Sequence, residues 1–131
     1  MTAMKLQKLC YYAKAWHLVW DSEQLFPERF EAWANGPVSP ELYDKHRGVF
    51  MLQKEDSIGG FPNKLTERQQ ESVDAVLAHY GGMTPHDLSE LTHSEAPWRE
   101  ARKDLSEGQR SRTPISDTAM YEFYDGLTGK G

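Results

Sequence analysis

Met4-Lys5-Leu6-Gln7-Lys8-Leu9-Cys10-Tyr11-Tyr12-Ala13-Lys14-Ala15-Trp16-His17-Leu18-Val19-Trp20 decides the fold. Leu6, Leu9, Ala13, Trp16 and Trp20 recur at helical spacing as one stripe, and Met4, Tyr12 and Val19 widen it. Thr2 is placed to cap the helix. Lys5, Lys8 and Lys14 are expected to reach water. An apolar band this broad predicts a helix that touches neighbours on more than one side, the central helix of its domain.

Working outward, residues 29–34 alternate Phe30, Ala32 and Ala34 with Arg29, Glu31 and Trp33, the pattern of a short strand. Asn35-Gly36-Pro37 forces a turn. Ser39 then offers an N-cap with Pro40 at the first helical position, and the helix carries Leu42, Tyr43 and His46. Residues 48–64 read as a long loop containing Gly59-Gly60 and Pro62, with Val49, Phe50 and Leu52 offering a second strand. A third helix opens on Thr66 with Gln69 completing a capping box, buries Val73, Val76, Leu77 and Tyr80, and stops at Gly81-Gly82. Thr84-Pro85-His86-Asp87 opens a fourth, which buries Leu88 and Leu91. Ser94 is expected to cap a fifth, with Trp98, Ala101 and Leu105 at helical spacing. After a polar linker, Gly108 to Pro114, a last helix starts at Ser116 with Ile115 and Met120 in staple positions.

The expectation is therefore a mainly α protein: a single compact helical domain over 1–131, of about six helices with a small two-stranded β element. Segment 48–64 is its long loop, and 106–131 a C-terminal linker and helix.

A chain of 131 residues with 38% hydrophobic and 27% charged residues closes one modest core. Fifteen Lys and Arg against 20 Asp and Glu give a formal charge of −5, which disfavours a nucleic-acid surface. The single cysteine, Cys10, cannot form an intramolecular disulfide, and its place in the apolar pattern reads as a buried thiol in a reducing compartment. No secretory signal opens the chain and no run is long enough to span a bilayer, so the expectation is a cytoplasmic protein with no membrane partner.

Chemistry is sparse. Cys10, His17, His46, His79, His86 and His93 are the candidate metal ligands, without Cys-x-x-Cys or His-Glu-x-x-His spacing, so no metal or other cofactor is expected. Cys10 with His17, or Ser94 beside His93, would be the nucleophile–base pairs of a small hydrolase, a less favoured reading that ranks above a direct transcriptional repressor. Glu90, Glu95 and Asp87 are available acids with no sign of a shifted pKa. Arg99, Arg102, Lys103, Arg110 and Arg112 form a positive stretch, interrupted by Glu100, Asp104 and Glu107, which reads as a solvated face or a dock for an acidic surface. Polar aromatics at the junctions, Trp16-His17, Trp33, Tyr43 and His93 with Trp98, are either core or interface anchors.

The same junctions carry a resemblance. Residues 4–18 look like the opening of the Panacea domain, the SocA-like antitoxin family that also includes phage-associated proteins. Glu31-Ala32-Trp33, Asn35-Gly36-Pro37-Val38 and Pro40-Glu41-Leu42-Tyr43 resemble its second signature. Leu88 to His93, followed by Pro97-Trp98 and Ala101-Arg102, resembles its third, and the likeness spans roughly 2–124. Cys10 stands where an aliphatic residue is common, and Ala34-Asn35 where a larger residue often precedes the glycine.

The resemblance implies a helical antitoxin that neutralises a neighbour-encoded toxin by direct binding, with delivery to a ClpXP-type protease as a further role in some members. It implies a cognate toxin as partner, allows a homodimer, and gives no catalytic set. The alternative is a protease adaptor or phage-associated interaction protein whose client is not a toxin. Its signature residues here are Trp16, His17, Trp33, Gly36, Pro37, Pro40, Tyr43, Thr92, His93, Pro97 and Trp98. The partner-specific surface is expected in the less characteristic parts, 48–64 and 106–127, with Arg110, Arg112, Tyr121 and Tyr124 as its candidates.

Overall fold

The computed structural model describes residues 3–25, 29–34, 36–46, 66–105 and 111–128. Within them the order is α1 (Ala3–Asp21), β1 (Phe30–Trp33), β2 (Gly36–Val38), α2 (Pro40–His46), α3 (Glu67–Tyr80), α4 (Pro85–Ser94), α5 (Ala96–Ala101), β3 (Pro114–Ile115) and α6 (Asp117–Thr128). Six helices and one small sheet make the mainly helical architecture that the patterning predicts.

Helix α1 is the axis. It packs against α2, α3, α4, α6 and β2, so little of its surface is left for water. This corrects the expectation for two lysines: Lys8 and Lys14 are buried at 2% and 1% exposure. Lys14 Nζ is held 3.5 Å from Asp117 Oδ1 on α6, which offsets its desolvation. Lys5 reaches the exposed carbonyl end of α3, donating to Gly81 O at 2.6 Å. Trp20 departs in the other direction, since the stripe places it inside and the fold leaves it 46% exposed.

The sheet has three strands, ordered β2-β1-β3 and antiparallel throughout, where the sequence suggested two. Val38 pairs with Glu31, Pro37 with Ala32, and Gly36 with Trp33; on the other edge Ile115 pairs with Phe30. Pro114 thus belongs to a strand, not to the linker. The strand anticipated at Val49 to Leu52, the Thr2 cap and the loop 48–64 lie outside the described residues.

Local signals place the helix starts. Thr66 with Gln69 and Thr84 with Asp87 both close reciprocal capping boxes. Ser39 Oγ accepts from the Leu42 amide and Ser116 Oγ from the Ala119 amide. Gln7 fixes the α2 cap to α1, donating to Ser39 O and accepting from Ser39 N. Ser94 does not cap α5. Its hydroxyl turns back to Leu91 O, and the N-cap is Glu95, whose carboxylate points into the core instead of along the helix. Among the described residues no helix is long and apolar enough to cross a membrane.

Candidate functional site

Gly36, which opens β2 opposite Trp33, has a φ of +128°, in the region that side chains rarely adopt. A Cβ there would stand 2.5 Å from Lys8 Cε and 3.3 Å from Thr92 Oγ1. Three chain segments therefore meet where the glycine leaves space. Burial lowers the Lys8 ammonium to a pKa of about 8. Thr92, itself buried, donates to Ser89 O within α4.

The α4–α5 junction is tied to the same sheet. His93 and Trp98 stack at 4.0 Å with planes 10° apart, and Trp98 Nε1 donates to Trp33 O at 2.8 Å. Arg102 lies 5.2 Å over the Trp98 ring and donates from Nη1 to Ala32 O. Pro97 is buried in the first turn of α5. On the far side Trp33 meets Tyr43 edge-on at 5.2 Å. Trp33, Gly36, Pro37, Tyr43, Thr92, His93 and Trp98 thus gather around one hairpin, with Pro40 and Pro97 in the first turns of α2 and α5.

Glu31 is buried beneath the rim of this cluster. It accepts from Trp33 Nε1 at 2.9 Å and from Arg112 Nε and Arg29 Nε, both at 3.2 Å. Desolvation alone would raise its pKa, but the hydrogen bonds from Trp33, Arg112 and Arg29 outweigh it and hold the carboxyl below its ordinary value. Arg112, exposed at the sheet edge, also lies 5.9 Å over the Trp33 ring. Of the other surface candidates, Tyr121 is exposed on α6, Tyr124 is fully buried and so belongs to the core, and Arg110 lies outside the described residues.

Trp16 and His17 sit elsewhere, on the α1 face that meets α3. Trp16 Nε1 donates to Tyr80 OH at 3.0 Å, and its ring approaches Trp20 and Tyr124. His17 Nδ1 is 2.7 Å from Ser72 Oγ and 3.3 Å from Asp21 Oδ2, while Nε2 is 3.7 Å from Glu23 Oε1. A hydrolase would need the acid on the ring nitrogen opposite the nucleophile. Here Asp21 shares Nδ1 with the serine, Glu23 opposite stands at 3.7 Å from Nε2, beyond hydrogen-bond reach, and Ser72 is buried in mid-helix. Burial raises the Cys10 thiol to about 12, the opposite of nucleophile activation. Among the described residues no three His, Cys, Asp or Glu side chains converge as a metal site.

The group that sequence reasoning missed is Glu95. Its Oε1 accepts from Tyr12 OH at 2.8 Å and Tyr124 OH at 2.7 Å. Tyr11 OH lies 3.2 Å from Tyr124 OH. The Tyr124 proton is engaged by Glu95, so Tyr11 is the donor to Tyr124. Desolvation raises the Glu95 carboxyl in spite of these bonds. An aromatic-rich α1 facing an aromatic-rich α6 was the available signal.

Compared with known families, residues 6–99 match the family described as antitoxin SocA-like, Panacea domain. The chain belongs to that SocA-like Panacea family. Neither the curated proteins nor the solved structures gave a match to it. The Panacea match contains every signature residue named above and ends before β3 and α6. Its signatures therefore divide between two places in the fold, the hairpin cluster and the α1–α3 face.

Proposed function

We propose that this Panacea protein is the antitoxin of a toxin–antitoxin pair, acting by direct binding to a toxin encoded beside it. The family match over residues 6–99 carries this reading. The packing is consistent with it: the signature side chains of Trp16, His17 and Trp98 hydrogen-bond to distant parts of the chain, leaving specificity to more exposed groups. Occlusion of the toxin's working surface is the proposed mechanism, with aromatic anchors supplying affinity and charged rims supplying selectivity.

Co-expression with the adjacent gene tests it. The neighbour should arrest growth alone and be rescued in a stable complex with this chain; a neighbour that neither binds nor harms growth overturns the reading. Delivery to a ClpXP-type protease is the finer form of the proposal, and it requires the bound toxin's lifetime to lengthen in cells lacking that protease. A client that is degraded but not toxic would favour the adaptor alternative.

A further inference from the structure

Helices α3 and α6 both pack on α1 and hardly on each other, so the seam between them is floored by α1. Trp16 lies in that seam, bonded to Tyr80 of α3 and 5.4 Å from the Tyr124 ring of α6. Trp20, one turn on, stacks against Trp16 at 5.5 Å and is 46% exposed. Helix α3 runs antiparallel to α1, since Tyr12 meets Tyr80, His17 meets Ser72 and Asp21 meets Arg68. One turn from Tyr80 in the direction of Trp20 is Leu77, exposed at 43%. A tryptophan and a leucine thus lie open at neighbouring levels of two packed helices.

The exposed charge on the two flanking helices is one-sided. Glu67, Glu71 and Asp74 are exposed on α3, and Glu122 and Asp125 on α6. Asp21 ends α1, Glu23 follows two residues on, and Asp117, already paired with Lys14, opens α6. Against these acids, Arg68 is the one exposed Lys or Arg among the described residues of α3, α6 and 16–25, and it is already paired with Asp21. The whole chain has 15 bases to 20 acids, so this face is far more acidic than the molecule. Like charge disfavours a second copy of the same face as its occupant.

We infer that the α3–α1–α6 face docks a basic amphipathic helix of a partner protein, its apolar stripe on Trp16, Trp20 and Leu77 and its Lys or Arg flanks on the acidic rim. Helix-in-groove recognition needs an apolar floor and flanking charge of the opposite sign, and both are present here. As the site for the toxin, this rests on the antitoxin reading; as a surface property, it does not.

The test therefore has two arms. In the first, a synthetic helix with Leu at i, i+3, i+4 and i+7 and Lys elsewhere is titrated into the full chain, followed by tryptophan fluorescence. Saturable binding is expected, weakening with added salt. It should weaken at least about tenfold in Trp20→Glu, Leu77→Glu and Asp74→Lys, but not in Glu90→Lys on α4. Circular dichroism identifies any variant that has unfolded, and Trp20→Ala replaces one that has. No binding, equal binding of a Glu-for-Lys peptide, self-association through this face, or indifference to the substitutions overturns the inference. In the second arm the same variants are co-expressed with the neighbouring gene product. If wild type and variants capture it equally, this face is overturned as the toxin's site, and the peptide arm decides the surface. If wild type captures nothing, the antitoxin reading fails while the peptide arm still decides the surface.

Discussion

The Tyr124 hydroxyl and the Glu95 carboxylate, 29 residues apart in sequence, meet at 2.7 Å inside the core. The same Glu95 oxygen takes the Tyr12 hydroxyl from the central helix. One carboxylate at the α4–α5 joint therefore ties α1 to α6. Tyr80, stacked flat on Tyr12 at 4.1 Å, extends the arrangement to α3.

Removing that acceptor leaves two buried phenols without their partner. Glu95→Ala is expected to cost about 3 kcal/mol, and Glu95→Gln, which keeps an acceptor oxygen, clearly less. The pH dependence has a definite sign. Burial raises the Glu95 carboxyl above its ordinary 4.5, so the folded state holds this proton more tightly than the unfolded one. Its contribution is complete below the unfolded value and is lost as pH rises through the folded one. Urea unfolding from about pH 4 to about pH 8 should show wild type losing ground to Glu95→Gln as pH rises. A constant gap would contradict the burial argument.

Glu31 should behave in the opposite way. Held below its ordinary value by Trp33, Arg112 and Arg29, it stabilises the fold above about pH 4.5, and that contribution is lost as pH falls through the folded value. Glu31→Gln should remove the acid-sensitive part of the unfolding curve. Glu31→Ala should cost about 2 kcal/mol, since Trp33 Nε1 loses its partner while the exposed guanidinium groups turn to water. Acid titration of the three proteins by near-ultraviolet circular dichroism distinguishes these cases.

What was legible in the sequence was local. The Thr66–Gln69 and Thr84–Asp87 boxes, the Ser39 and Ser116 caps and the 30–33 strand each depend on residues within a few positions of one another. The misreadings come from distant partners. Ser94 has the chemistry of a cap, but the chain turns at Glu95 because Tyr12, 83 residues away, takes its carboxylate inward. Lys8 and Lys14 occupy positions that an isolated helix would expose, and burial follows from the hairpin and α6 closing over them. The hairpin cluster was half visible: its residues were identified one by one, but Trp98 reaches Trp33 O across 65 residues and Arg102 reaches Ala32 O across 70. No periodicity encodes such pairings.

Cys10 should be chemically silent in the folded chain. Its thiol is 8% exposed and pushed up to about 12 by burial, so almost no thiolate exists near neutral pH. A thiol-specific reagent should leave the native protein unlabelled over a time in which the denatured chain reacts completely, as read by intact mass. Rapid native labelling would mean that α1 opens readily.

Gly36→Ala should be among the most damaging small substitutions. Two costs combine: a positive φ of +128° that alanine adopts only with strain, and a Cβ that meets Lys8 Cε at 2.5 Å. Together they are expected to cost about 3 kcal/mol, of which the backbone part is about 1–2 kcal/mol. The two parts separate in a double-mutant cycle. Lys8→Ala removes the clash without altering the backbone, so Lys8→Ala with Gly36→Ala should be less destabilised than the sum of the single changes. Additive costs would show that φ alone sets the requirement for glycine. A coupling of about 1 kcal/mol or more would show that the buried lysine stem, as well as the turn, demands it.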